Sequence, residues 1–270
     1  MWRNRQNPEF RKDKDIVMKS LIFAGRTIKE ILRDPLSYIF CLGFPMVMLV
    51  LMSIIDQSIP AQANMTVFHI ENLGPGIAYF GLTFVMLFSS IQVSKDRSTA
   101  LLMRLYASPM GPADYVIGYT LPVLGLALVQ MVLCFVAAVM IGLFVDYTFS
   151  VGAILLSMLA LLPSAFLFIG VGILFGSVVG EKAAPGLCSI LISATGMVGG
   201  IWMDIDGLGG IMKKVASVLP FYHGVTLAKI PFRESAEGPM EHLLWTVICA
   251  VVIYVLAVVI FQHKMKQDVK

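Results

Sequence analysis

Residues 116–145 run for 30 positions without a single Asp, Glu, Lys or Arg. A helix rises 1.5 Å per residue, so about 20 residues cross the roughly 30 Å hydrocarbon core of a bilayer. A run this long and this uncharged fits a membrane-spanning helix and little else. Five further uncharged apolar stretches follow the same rule: Leu36–Ile55 with Pro45 inside, Ile77–Ser94, Val151–Val179, Leu187–Met203 and Leu243–Phe261. The whole chain agrees, being 58% hydrophobic and 14% charged with a mean hydropathy of +0.84. A soluble domain is about 45–50% apolar and about 25% charged. The expectation is an all-α integral membrane protein with six spans. The third and fourth stretches exceed the span length and must tilt or protrude.

The net charge of +3 says little, but its placement says more. With six spans both termini lie on one side. That side carries the nine Lys and Arg of residues 1–35, then Lys95, Arg97, Arg104, Lys182, Lys264, Lys266 and Lys270. The other side carries Lys213, Lys214, Lys229 and Arg233. Sixteen against four predicts cytoplasmic termini by the positive-inside rule. The segment "LLMRLYASPMGPADY" (Leu101–Tyr115) is then cytoplasmic. The first 34 residues are strongly charged, so no cleavable signal peptide is expected.

Ahead of the first span, "IVMKSLIFAGRTIKEILR" (Ile16–Arg33) is amphipathic. On a helical wheel Val17, Leu21, Ala24, Ile28, Ile31 and Leu32 share a face. Lys19, Arg26, Lys29, Glu30 and Arg33 share the opposite one, and Asp34-Pro35 ends the pattern. An apolar stripe backed by cations suits a helix in the membrane surface, packed also on the protein's own cytoplasmic side. Glu30 and Asp34 interrupt the basic face, which argues against nucleic acid as a partner.

The spans hold almost no ionisable residues, whereas ion-coupled carriers usually need them at membrane depth. Their polar groups are mild: Thr83, Ser89, Ser90, Gln92, Gln130, Ser189, Ser193 and Thr195 read as interhelical hydrogen-bonding groups. Gly172, Gly176 and Gly180 have the four-residue spacing that lets helices approach closely. Cys41, Cys134, Cys188 and Cys249 each fall in an apolar run and read as small hydrophobes. His69, His223, His242 and His263 form no HExxH motif, and His223 reads as a loop histidine. No G-x-x-x-x-G-K-[ST] phosphate loop occurs. Catalytic residues, metal ligands and a directly bound cofactor are therefore not expected. Energy for uphill transport would have to come from another subunit.

The stretch "SKDRSTALLMRLYASPMGPADYVIGYTLP" (Ser94–Pro122) resembles the ABC-2 type permeases, the membrane subunits of one class of ATP-binding-cassette transporter. The family's acidic-Arg pair, Arg-Leu, small-Ser/Thr-Pro and span-opening Gly are matched by Asp96-Arg97, Arg104-Leu105, Ala107-Ser108-Pro109 and Gly118. Ala100-Leu101 departs from the Gly-Thr that many members have. Gly25–Leu51 is similar to the family's amphipathic connecting helix and first span. Gly199–Lys229, with Leu219-Pro220-Phe221-Tyr222, is similar to its outer re-entrant helices before span six.

The resemblance implies a paired six-span scaffold, as a homo- or heterodimer, in a bacterial plasma (inner) membrane. Each subunit would rest on a cytoplasmic ABC ATPase that binds ATP-Mg. A short coupling helix around Ser108–Tyr115 would dock on that ATPase. Ser108 would cap it, Pro109 would take its first position, and Pro112 would keep it short. A tight turn without a partner is the alternative for this segment. The implied ATPase-coupling residues are Arg104, Ser108, Pro109, Gly111, Pro112, Asp114 and Tyr115. The implied translocation path runs past Phe84, Phe88 and Gln92 in span two and Ser189, Ser193 and Met197 in span five. Residues 1–35 would form the cytoplasmic arm, 36–262 the transmembrane domain and 263–270 the tail. The function so implied is ATP-driven export of an amphipathic or hydrophobic molecule. A carrier or channel acting alone is the second reading, and a lipid-modifying enzyme the third.

Overall fold

The computed structural model describes residues 8–35, 39–60, 65–99, 110–233 and 238–268, and among them every regular element is helical. In chain order these are α1 (Pro8–Ile31), a π-turn (Ile39–Gly43) running into α2 (Phe44–Ser58), α3 (Ile70–Ser98), α4 (Pro112–Phe144) and α5 (Val151–Val178). Then come α6 (Ala184–Val198), the short α7 (Ile205–Leu208), α8 (Gly210–Val218) and α9 (Pro220–Lys229), and finally α10 (Pro239–Asp268).

Among the described residues five helical segments are long and apolar enough to cross a membrane: Ile39–Ser58, α3, α4, α5 and Pro239–Lys264. The fifth expected span, Leu187–Met203, is instead the 15-residue α6. At 1.5 Å per residue it reaches about 22 Å, short of a full bilayer core. It stops because Gly199-Gly200 turns the chain. Gly200 has a φ of +77°, a left-handed conformation that a Cβ disfavours.

α3 is the hub, buried along most of its apolar length against the other helices. It meets α5 along the glycine stripe. A Cβ at Gly172 would run into the Met86 carbonyl oxygen and Ser89, and one at Gly176 into the Ser90 carbonyl and Val93. Gly180, the third residue of the spacing, has nothing within 4 Å among the described residues. On another side, Gly81 leaves room for the amide of Gln130 from α4. Gln130 Nε2 donates to the Ala78 carbonyl at 3.4 Å, an interhelical hydrogen bond of the kind expected for this residue. α6 turns Cys188 and Thr195 inward. α9 sinks between α3 and α5, with Gly224 against Tyr79 and Ser164. Ser157 Oγ of α5 fastens it through the Ala228 carbonyl at 2.7 Å.

Ring contacts fix which helix ends lie together. Phe23 of α1 packs edge-on to Tyr115 at the start of α4, and Tyr115 lies 5.8 Å from Phe261 late in α10. This is the terminal end of the bundle. At the far end Phe232 stacks on Phe135, late in α4, and packs edge-on to Phe149, just before α5.

α1 buries a different stripe from the one expected. Ser20, Phe23, Ala24, Thr27 and Ile31 are buried, whereas Leu21, Ile28 and Leu32 are exposed beside Ile22. Of the expected face, Ala24 and Ile31 reach the core, and the Val17 side chain lies outside the described residues. The helix has three faces, one packed on protein, one apolar and exposed, and one cationic. A two-sided wheel merges the first two.

Candidate functional site

The terminal end holds a polar joint built from three helices. Asp96, in the last turns of α3, is 4% exposed and accepts three hydrogen bonds. Arg26 of α1 supplies two, Nη1 at 3.3 Å and Nη2 at 3.2 Å, and the Tyr119 hydroxyl of α4 supplies the third at 2.8 Å. Arg26 also reaches Glu30 at 2.5 Å, and Glu30 accepts from Gln92 Nε2 of α3 at 2.7 Å. Burial works against the charge on Arg26. Asp96 and Glu30 outweigh it, and the guanidinium pKa is raised.

Apolar packing locks the same joint. Phe23 sits between Tyr115 at 5.5 Å and Tyr119 at 4.9 Å, edge-on to both. It fits because position 118 is glycine: a Cβ there would lie 2.5 Å from the Phe23 ring. Next to Asp96, Arg97 points the other way and donates to the Gly176 and Ser177 carbonyls at the end of α5. Those carbonyls have no partner within their own helix, so Arg97 caps α5 and complements its dipole. One acidic-basic pair thus ties α3 to α1 and α4 with one member and to α5 with the other.

A family model described as "ABC-2 family transporter protein" matches residues 57–259, more than half of the chain. The chain belongs to the ABC-2 transporter family. No curated protein matches it. As an ABC-2 permease it is a multi-pass membrane transport subunit rather than an ATPase, and such permeases generally work with an ATPase subunit.

The permease's expected coupling residues divide. Arg104, Ser108 and Pro109 lie outside the described residues. Gly111 caps α4, and its N–H donates to Asp114 Oδ2 at 2.8 Å. Pro112, Asp114 and Tyr115 form the first turn of the 33-residue α4, so the expected separate helix over Ser108–Tyr115 does not extend through them. The physical reason is Pro112 itself. Its fixed φ and missing N–H suit the first position of a helix, and Asp114 supplies the cap.

The expected path residues lie in different surroundings. Phe84, Phe88 and Gln92 are buried. Phe84 packs 4.9 Å from Phe44 and 5.5 Å from Phe80, which in turn lies 5.2 Å from Trp202. Gln92 belongs to the joint through Glu30. Ser189, Ser193 and Met197 lie on an exposed face of α6. Both serine hydroxyls bond back to their own helix, at the Gly186 and Ser189 carbonyls.

His223 is not a loop residue. It is buried in α9, where its Nε2 donates to the Ser217 carbonyl at 2.8 Å. In the neutral ring its Nδ1 then accepts from His242 Nδ1, 2.7 Å away. The pair joins α9 to α10. Among the described residues no group of three or more His, Cys, Asp and Glu is placed to hold a metal.

Sequence reasoning missed Phe23, Arg26, Glu30 and Tyr119 as members of a site. The Asp96-Arg97 pair and Gly118 were visible as motif residues. Their partners on α1 lie far away in sequence, and nothing local marks them.

Proposed function

We propose that this permease is the membrane half of an ATP-driven exporter of amphipathic or hydrophobic molecules. A separate cytoplasmic ATPase hydrolyses ATP-Mg, and a second permease subunit, identical or paralogous, completes the path. The joint at Asp96 carries the reading. The segment 99–111 leaves the end of α3 at Asp96-Arg97 and enters α4 at Asp114-Tyr115. Both ends are fastened to α1, the first through Arg26 and the second through Phe23. A displacement of that segment by a partner therefore moves α1, α3 and α4 together instead of dissipating in one loose loop. Arg97 passes the same displacement to α5. Rocking of the bundle between inward- and outward-open states follows from such a connection. The excess of Lys and Arg at the terminal end supports placing it in the cytoplasm, within reach of the ATPase.

The test is co-expression with candidate ABC ATPase subunits, followed by ATP hydrolysis and transport in nanodiscs and liposomes. An ATPase is expected to co-purify and its turnover to respond to the permease. Arg104→Glu is expected to leave the bundle folded and to reduce transport per ATP at least tenfold. ATP-independent flux from the permease alone, or transport unchanged in that variant, sinks the reading.

A further inference from the structure

The far end contains a polar cavity of about 240 Å³ between α9 and the turn that follows α6. Its wall includes Asn72, Gly200, Asp204, Tyr222, Lys229 and Arg233. Lys229 is the unusual member. It is 4% exposed, and its ammonium makes one hydrogen bond, 2.8 Å to the Gly200 carbonyl. An ammonium has three N–H donors, so two remain without a partner among the described residues in a side chain that lines the cavity. Leaving a buried cation this poorly partnered is costly unless something else accepts from it.

The acidic groups of the wall are already engaged. Asp204 accepts from the Gly207 N–H at 3.1 Å and caps α7. Asp206 accepts from the Tyr222 hydroxyl at 2.7 Å and pairs with Lys213 at 3.0 Å. Burial opposes the charge on Asp206, yet Tyr222 and Lys213 prevail and hold its pKa below the usual value. The charge left over is positive: Lys229 inside, and exposed Arg233 at the mouth. Size narrows the ligand further. Sites for whole drug-sized molecules occupy about 300–1,000 Å³. The smaller volume here admits an anionic group and a few attached atoms, with the rest of the molecule outside.

We propose that this cavity is a binding site for an anionic headgroup, a carboxylate or phosphodiester, held by Lys229 with Arg233 at its mouth. The site is a property of the permease alone and stands apart from the ATPase partnership proposed above.

A pH signature accompanies it. Burial pushes the Lys229 amine down to about 7; Arg233 lowers it further, while Asp204 and Asp206 act in the opposite direction. No other charged side chain among the described residues lines the cavity. The ammonium is thus mostly present at pH ~6 and mostly lost at pH ~8. Diethyl phosphate stays a monoanion across that range, so its binding is expected to weaken several-fold between the two.

The full-length permease in phosphatidylcholine nanodiscs supports a direct measurement. Trp2→Phe and Trp245→Phe leave Trp202, beside the cavity wall, as the fluorescent reporter. Diethyl phosphate is expected to give a saturable change. Affinity should fall at least tenfold in Lys229→Met and several-fold in Arg233→Gln, and stay unchanged in Lys214→Gln on α8. Arg233→Gln, at the exposed mouth, carries the test should Lys229→Met fail to fold. Repeating the titration in phosphatidylglycerol discs separates the sources. Loss of the response there identifies a lipid headgroup as the occupant, and its persistence identifies a soluble anion. The proposal is overturned by the absence of a saturable response, by equal affinity in both cavity variants and the parent, or by saturation with methylammonium or calcium instead.

Discussion

Asp96 shows how much one side chain organises. Three donors from α1 and α4 converge on it, and replacing it by Asn would leave Arg26 with Glu30 as its one countercharge among the described residues. Removing one partner of a buried ion pair costs about 3–5 kcal/mol. The Arg26 side chain is 30% exposed, and water access brings the expectation down to roughly 2 kcal/mol. Thermal unfolding in detergent should show Asp96→Asn melting earlier, with α1 becoming protease-sensitive first. Tyr119→Phe loses one hydrogen bond and should cost about 1 kcal/mol. The motif made Asp96-Arg97 conspicuous in the sequence, but not what each touches. A helical wheel put Arg26 on a cationic face as if it were solvated, because a wheel knows nothing of the carboxylate that packs on it. Lys229 was likewise visible only as one of four cations on the less basic side. Its folded amine is depressed to about 7 from an ordinary value of 10.5. Between those values the unfolded chain binds the extra proton, so stability rises with pH across that window. The melting temperature should climb from pH ~7 to pH ~9, and Lys229→Met should flatten the climb. A parallel slope in both proteins would place the titration elsewhere.

At the scale of elements, the contact between α3 and α5 rests on two missing side chains. Gly172 and Gly176 bring α5 onto the carbonyls of Met86 and Ser90. Gly176→Leu must push the helices apart, and overpacking of this kind costs about 1–3 kcal/mol. Gly180→Leu meets nothing among the described residues and should stay within about 0.5 kcal/mol. Comparing the two variants by thermal unfolding separates helix contact from a general effect of glycine. The four-residue spacing announced such a contact in the sequence, but spacing alone did not say which glycines use it. The long elements were legible throughout, since uncharged apolar length is a bilayer property and needs no partner to be read. α6 was not, although Gly199-Gly200 lay inside the expected span. Glycines are common in membrane helices, and only the positive φ of Gly200 shows that this pair ends one. Pro112 misled in the opposite direction. It looked like a limit on a short cytoplasmic helix and instead opens the longest helix of the bundle, 33 residues, from its first position.

The whole molecule divides into a terminal end, where polar ties hold α1, α3, α4 and α5 in register, and a far end, where short helices fold back around a charged cavity. Uncharged apolar length predicted the spanning layer between them. It said nothing about the two ends, which depend on pairings between residues remote in sequence. α6 adds a consequence at this scale. Its 15 residues cover about 22 Å, while α4 at 33 residues covers about 50 Å. Two such helices cannot both match one uniform hydrocarbon slab of roughly 30 Å. Where α6 faces lipid the bilayer would have to thin, and around α4 the helix would have to lean. The permease is therefore expected to respond to bilayer thickness if α6 faces lipid. Its turnover in liposomes of graded acyl length should pass through an optimum on the short-chain side, and a flat profile would mean that α6 never faces lipid.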